Sequence, residues 1–111
     1  MSFDLCVEKT AEKPFFIKSV GVRVYSAEEL CYFLYHNLYL IDSDVINVRL
    51  TGWIRDELDM KTLAKKLNDA LERPDNDASY FIMPIFAQTG YLSLEEQHKV
   101  REELTRAQVK P

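Results

Sequence analysis

A cysteine and a histidine, Cys31 and His36, stand close together in the most apolar stretch of the chain, ELCYFLYHNLYLID, residues 29 to 42. A thiol and an imidazole can cooperate in two ways. They can share a soft metal ion, or the imidazole can take the thiol's proton and arm a nucleophile. In a helix their separation corresponds to roughly 140° of rotation, so the two side chains diverge and cannot hold one ion from that helix. The other histidine, His98, is distant in sequence. A cysteine in apolar surroundings also holds its proton tightly, the reverse of what a nucleophile needs. The spacing predicts a structural cysteine, no metal site and no catalytic residue.

The acidic clusters lead to the same expectation. DSD at 42–44 and DND at 75–77 have the flavour of calcium loops. Such a loop needs glycine at its sixth position and glutamate at its twelfth. Counting from Asp42 gives Asn47 and Trp53, and counting from Asp75 gives Tyr80 and Phe86. Both fail, and the acids read as helix caps in turns. Glu28/Glu29 and Glu102/Glu103 are adjacent pairs, which point apart on a helix and make no two-carboxylate site. With 3 glycines in the chain there is no glycine-rich phosphate loop, and no G-x-S-x-G occurs. No cofactor is expected, and no enzyme.

Composition narrows the partners. The 14 basic and 18 acidic residues leave a formal net charge of −4. Such a surface does not attract a phosphate backbone overall, so no nucleic acid is expected. The two cysteines, Cys6 and Cys31, form no C-x-x-C and no disulfide framework, which predicts a reducing, cytoplasmic compartment. The N-terminus, MSFDLCVEKTAEKP, has early acids and no apolar run, unlike a secretory signal. The apolar stretch is shorter than the roughly 20 residues that cross a bilayer, and Asp42 and Asp44 end it, so no membrane is expected.

Local pattern places these residues on elements. Residues 1–13 read as a loose, polar N-terminus. PFFIKSVGVRVYS reads as a β-hairpin over 15–18 and 22–25 with Gly21 in the turn, and so short a ribbon must lean on helices. Ser26 and Glu29 have capping-box spacing for a first helix over 27–40. Leu30, Phe33, Leu34, Leu38 and Ile41 share one face, with Asn37 among them. Tyr32, Tyr35, His36 and Tyr39 share the opposite one. A helix apolar all round is normally buried, which makes this segment the expected centre of the core. DSDVINVRLTGWIRDEL fits a helix over 44–58, capped by Asp44, better than a strand. DMKTLAKKLNDALERP reads as a helix capped by Asp59 and ended by Pro74. DNDASYFIMPIFAQTGY reads as a helix over 77–88, kinked or split by Pro84 and stopped by Gly90. Ser93 and Glu96 cap a charged last helix over 94–108. The fold class expected is mainly α, a compact bundle of about five helices with a short N-terminal β-hairpin. The helical domain spans 14–92, and 93–111 is a charged helix and linker.

Two surfaces remain. Lys61, Lys65, Lys66 and Arg73 form a modest basic stripe that would serve a DNA-binding regulator through the helix at 59–73. No turn signal follows Leu67, and the next helix is apolar, so a solvated face is the default. Tyr32, Tyr35, His36 and Tyr39 are either a second buried layer, the default, or a binding surface, for which tyrosine's large area and few rotamers suit it. A small-ligand binder would need a deep polar pocket at His36 or Asn37.

The run YSAEELCYFLYHNLYLID, followed by GWIRDEL and MKTLAKKL, resembles the N-terminal region of an uncharacterised protein family of Gram-positive anaerobic bacteria. The resemblance covers residues 14–106. In that family a charged helix leads into tetratricopeptide repeats, which implies a helical, non-enzymatic interaction or scaffold domain of an adaptor, with another protein as partner and a homo-oligomer as one form of it. The chain departs from the pattern at Asp59, where a glycine is expected, and in RLTGW.

Overall fold

Ser26 is the joint between the extended and the helical parts of the chain. The computed structural model describes residues 10–41, 45–73 and 78–108. Strands β1 (Thr10–Ile17) and β2 (Val22–Ser26) pair antiparallel, with Phe15 opposite Val24 and Ile17 opposite Val22. The turn closes as expected. Gly21 takes φ 69°, a conformation that costs a side chain dearly, and its N–H reaches the Ile17 carbonyl at 2.9 Å. The register shifts between Thr10 and Phe15, where Pro14 has no N–H to give the ladder.

The ribbon starts earlier than its composition suggests. Residues 10–13 belong to β1 rather than to a loose N-terminus. Their partners lie far along the chain. The Trp53 indole N–H donates to the Lys13 carbonyl at 2.7 Å. The Glu57 carboxylate accepts from the backbone N–H groups of Glu12 and Lys13 at 3.1 and 3.3 Å. Ala11 is buried beneath them.

Helix α1 (Ala27–His36) begins at the capping box. The Glu29 N–H donates to Ser26 Oγ at 3.1 Å, and the Glu29 carboxylate reaches back to the Tyr25 N–H, one residue beyond the usual target. The helix ends at His36, short of the expected 40. Asn37 Nδ2 donates to the Phe33 carbonyl at 2.8 Å, satisfying a helix-end acceptor, and a 3₁₀ turn (Leu38–Leu40) follows. This is also how Asn37, placed by periodicity on the aliphatic face, finds its partner.

Helix α2 (Val48–Asp56) confirms the helical reading of the ambiguous segment but starts later, because Asn47 Oδ1 accepts the Leu50 N–H at 3.0 Å. The cap expected from Asp44 falls outside the described residues. Helix α3 (Lys61–Leu71) is not capped by Asp59. Met60 precedes it without a side-chain cap, and Asp59 takes φ 58°, turning the chain from α2 into α3. Aspartate tolerates this left-handed conformation better than most residues, and glycine, which the resemblance expects there, tolerates it best.

Helix α4 (Ser79–Thr89) runs unbroken through Pro84 and ends at Gly90, φ 68°. Helix α5 (Leu94–Gln108) has its own capping box: the Glu96 N–H donates to Ser93 Oγ at 3.1 Å, and the Ser93 N–H to the Glu96 carboxylate at 2.9 Å. Although mostly charged, α5 docks through Val100 and Leu104, one turn apart and both buried. It packs on α4 and on the 3₁₀ turn, so it is part of the domain's core as well as a charged tail.

The helix at the centre is α4, not α1. Phe81, Ile82, Met83, Ile85 and Phe86 are all buried, leaving only Tyr80, Ala87 and Gln88 exposed on α4, and α1, α3 and α5 all lean on it. α1 buries Leu30, Cys31, Phe33 and Leu34 and exposes its tyrosines. The sequence is therefore mainly α, with five helices and an N-terminal hairpin, as its pattern predicts, but around a different axis. Among the described residues, no buried side-chain nitrogen or oxygen lacks a hydrogen-bond partner.

Two stability effects follow from this packing. Leu34→Ala, at a fully buried site, should cost about 2–5 kcal/mol in chemical denaturation. Asn47→Ala should cost about 1 kcal/mol by the same measurement, through loss of the α2 cap.

Candidate interaction surface

The four residues singled out from the sequence come together on one outward face. Tyr32 is 59% exposed, Tyr35 37% and Tyr39 81%, so this layer is surface and not a second buried shell. His36 joins Tyr32 to Tyr35. Its ring lies 4.2 Å from the Tyr32 ring, tilted by 36°, and 5.3 Å from the Tyr35 ring, edge-on at 89°. Its Nδ1 is 2.8 Å from the Tyr32 carbonyl, an acceptor only, so Nδ1 carries the proton. Tyr35 in turn sets its edge against Phe86 of the central helix, with 6.4 Å between ring centroids. The exposed aromatic face is thus anchored to the core at one point, and Tyr32, His36 and Tyr35 brace one another. Stiff aromatics lose little entropy when a partner covers them.

Grooves lie on both flanks. One, of about 410 Å³, separates the end of α1 from α5 and is walled by Tyr35, His36, Leu38 and Tyr39 on one side and Lys99 and Glu103 on the other. Lys99 and Glu103 were not expected at the site. The signal for them was present in the pairing of Val100 with Leu104, since docking those two residues brings their neighbours against Tyr39. The other groove, of about 670 Å³, runs between β2 and α1, with Val22, Tyr25, Tyr32 and Tyr91 among its walls.

Cys31 and His36 are not brought together. The cysteine is buried, with its sulfur 3.3 Å from Thr89 Oγ1, while the histidine faces solvent. Among the described residues no three His, Cys, Asp or Glu side chains are grouped to hold a metal ion. The DSD and DND segments lie outside the described residues, but Trp53 and Phe86, at their twelfth positions, are buried in the core. In the basic stripe Lys65 pairs with Asp69 at 3.7 Å, and the Arg73 guanidinium lies 3.6 Å over the Tyr80 ring. No helix among the described residues is long and apolar enough to cross a membrane.

Tyr91 backs the aromatic face from the α4–α5 connection. Desolvation pushes its phenol above the ordinary tyrosine value, and the nearby Cys31, Glu28, Tyr32 and Tyr35, when ionised, push it the same way. A pKa raised in the folded state gives stability that is present below the unfolded value, about 10, and is lost as pH rises through the folded one. Unfolding stability should therefore fall in alkaline solution, and Tyr91→Phe should flatten that fall; denaturant titrations at a series of alkaline pH values would show it.

Together these features define a small, mainly α domain with a hairpin, whose exposed aromatic patch lies between two open grooves. Compared with known proteins, the chain matches no family model, no curated protein and no solved structure.

Proposed function

We propose that this domain is a non-enzymatic interaction module that binds another protein through the aromatic face of α1. The observation that carries this reading is the exposure of Tyr32 and Tyr39 on one face beside a His36 stacked on the Tyr32 ring. Tyrosine is enriched at protein interfaces because it offers a wide apolar ring with a polar tip. The resemblance to a repeat-carrying adaptor family supports the same reading, with charged α5 as the element that would lead toward repeats. The DNA-binding alternative has less support. The net charge is negative, and two of the four cations on the α3 stripe are already engaged, one by Asp69 and one by Tyr80.

A photoreactive benzoylphenylalanine in place of Tyr39 tests the proposal in cells that express the chain natively. A discrete adduct heavier than the chain is expected, and mass spectrometry of it distinguishes a second copy from a different protein. Adding Tyr32→Ala and Tyr35→Ala should abolish the adduct while the domain stays folded by circular dichroism. Absence of any adduct, or loss of the fold in the variant, would overturn the reading.

A further inference from the structure

Among the described residues β2 has a partner on one side only. Their sheet has two strands, so every backbone group of β2 that turns away from β1 lies on the sheet edge. In an antiparallel ribbon successive residues direct their N–H and C=O to opposite sides. The Tyr25 N–H turns away from β1, to Glu29 Oε1 at 2.6 Å. Arg23, two residues earlier, has the same sense, so its N–H and C=O line that edge. The larger groove runs along it. Its wall is β2, and its floor is a stripe of α1, in which Tyr32 and Phe33 lie one turn after Glu28 and Glu29, closed off by Tyr91.

We propose that this groove accepts an extended peptide segment of a partner protein, basic in charge and apolar at alternate positions, which adds to β2 as a third strand. Main-chain hydrogen bonds to Arg23 would set the register, and alternate side chains would enter the apolar floor. The charge fits a basic segment. Glu28 and Glu29 stand on the groove against one cation, Arg23, whose guanidinium lies 4.6 Å over the Phe16 ring. A second copy of this chain fits less well, because it would bring like acidic pairs together. The site goes beyond the aromatic face: it shares Tyr32 but depends on backbone, not on Tyr35 or Tyr39.

Selection of short random peptides on the whole chain tests this. Enriched sequences should alternate apolar residues with Lys or Arg. Arg23→Pro removes one edge N–H without touching the ladder to β1, and should weaken a synthetic peptide of enriched sequence by about tenfold. Arg23→Ala, which keeps that N–H, should leave binding within about twofold, and Glu28→Lys should weaken it. The Tyr35→Ala, Tyr39→Ala double variant should still bind the peptide, which separates this site from the aromatic face. Should Arg23→Pro unfold the chain, peptides N-methylated at alternate amides ask the same question, and one of the two alternating sets should fail to bind. No enrichment, apolar residues at helical spacing, equal effects of Arg23→Ala and Arg23→Pro, or equal tolerance of both methylated sets would overturn the proposal.

Discussion

The contact between Trp53 and β1 holds the two halves of the molecule in one arrangement. A two-stranded ribbon is barely stable alone, and this one is fixed to α2 by the indole N–H on the Lys13 carbonyl and by the tilted Phe15–Trp53 ring contact, with 6.0 Å between centroids. Glu57, one turn further along, takes the two backbone donors that β1 leaves unused where its register slips. The position of β2 follows from that of β1, and the direction of α1 follows from β2 through Ser26. Both grooves beside the aromatic face therefore depend on a tryptophan that lines neither.

The capping boxes at Ser26 and Ser93, the Gly21 turn and the Gly90 stop were legible in the sequence, because each is a short-range interaction between residues that the chain itself keeps close. The longer part of β1 was not, since partners for its backbone are supplied by α2 and its C-cap, forty or more residues away. The start of α2 was not legible, because Asp44 and Asn47 are both capping residue types; in the structure Asn47 Oδ1 takes the Leu50 N–H. Asp59 was read as a cap where it turns the chain, a distinction that lies in backbone dihedrals and not in residue type.

The exchange of roles between α1 and α4 is the more instructive difference. Both segments are apolar nearly all round, and periodicity alone cannot rank them. α4 carries phenylalanine and isoleucine round most of its girth, side chains with nothing to gain from water, and leaves only Tyr80, Ala87 and Gln88 outside. α1 carries tyrosine there, whose hydroxyl gains by staying wet. The four residues of the candidate site were legible as a group, but their exposure was settled by which of two greasy helices took the middle.

The hairpin tip has a practical consequence. At Gly21 no atom stands within 4 Å of where a side chain would begin, and the chain there is exposed. Loop tips of this kind accept added sequence readily. A fluorophore or an affinity handle grafted between Lys18 and Gly21 would ride outside the packed body, giving the molecule a port for attachment that leaves the helical layers undisturbed.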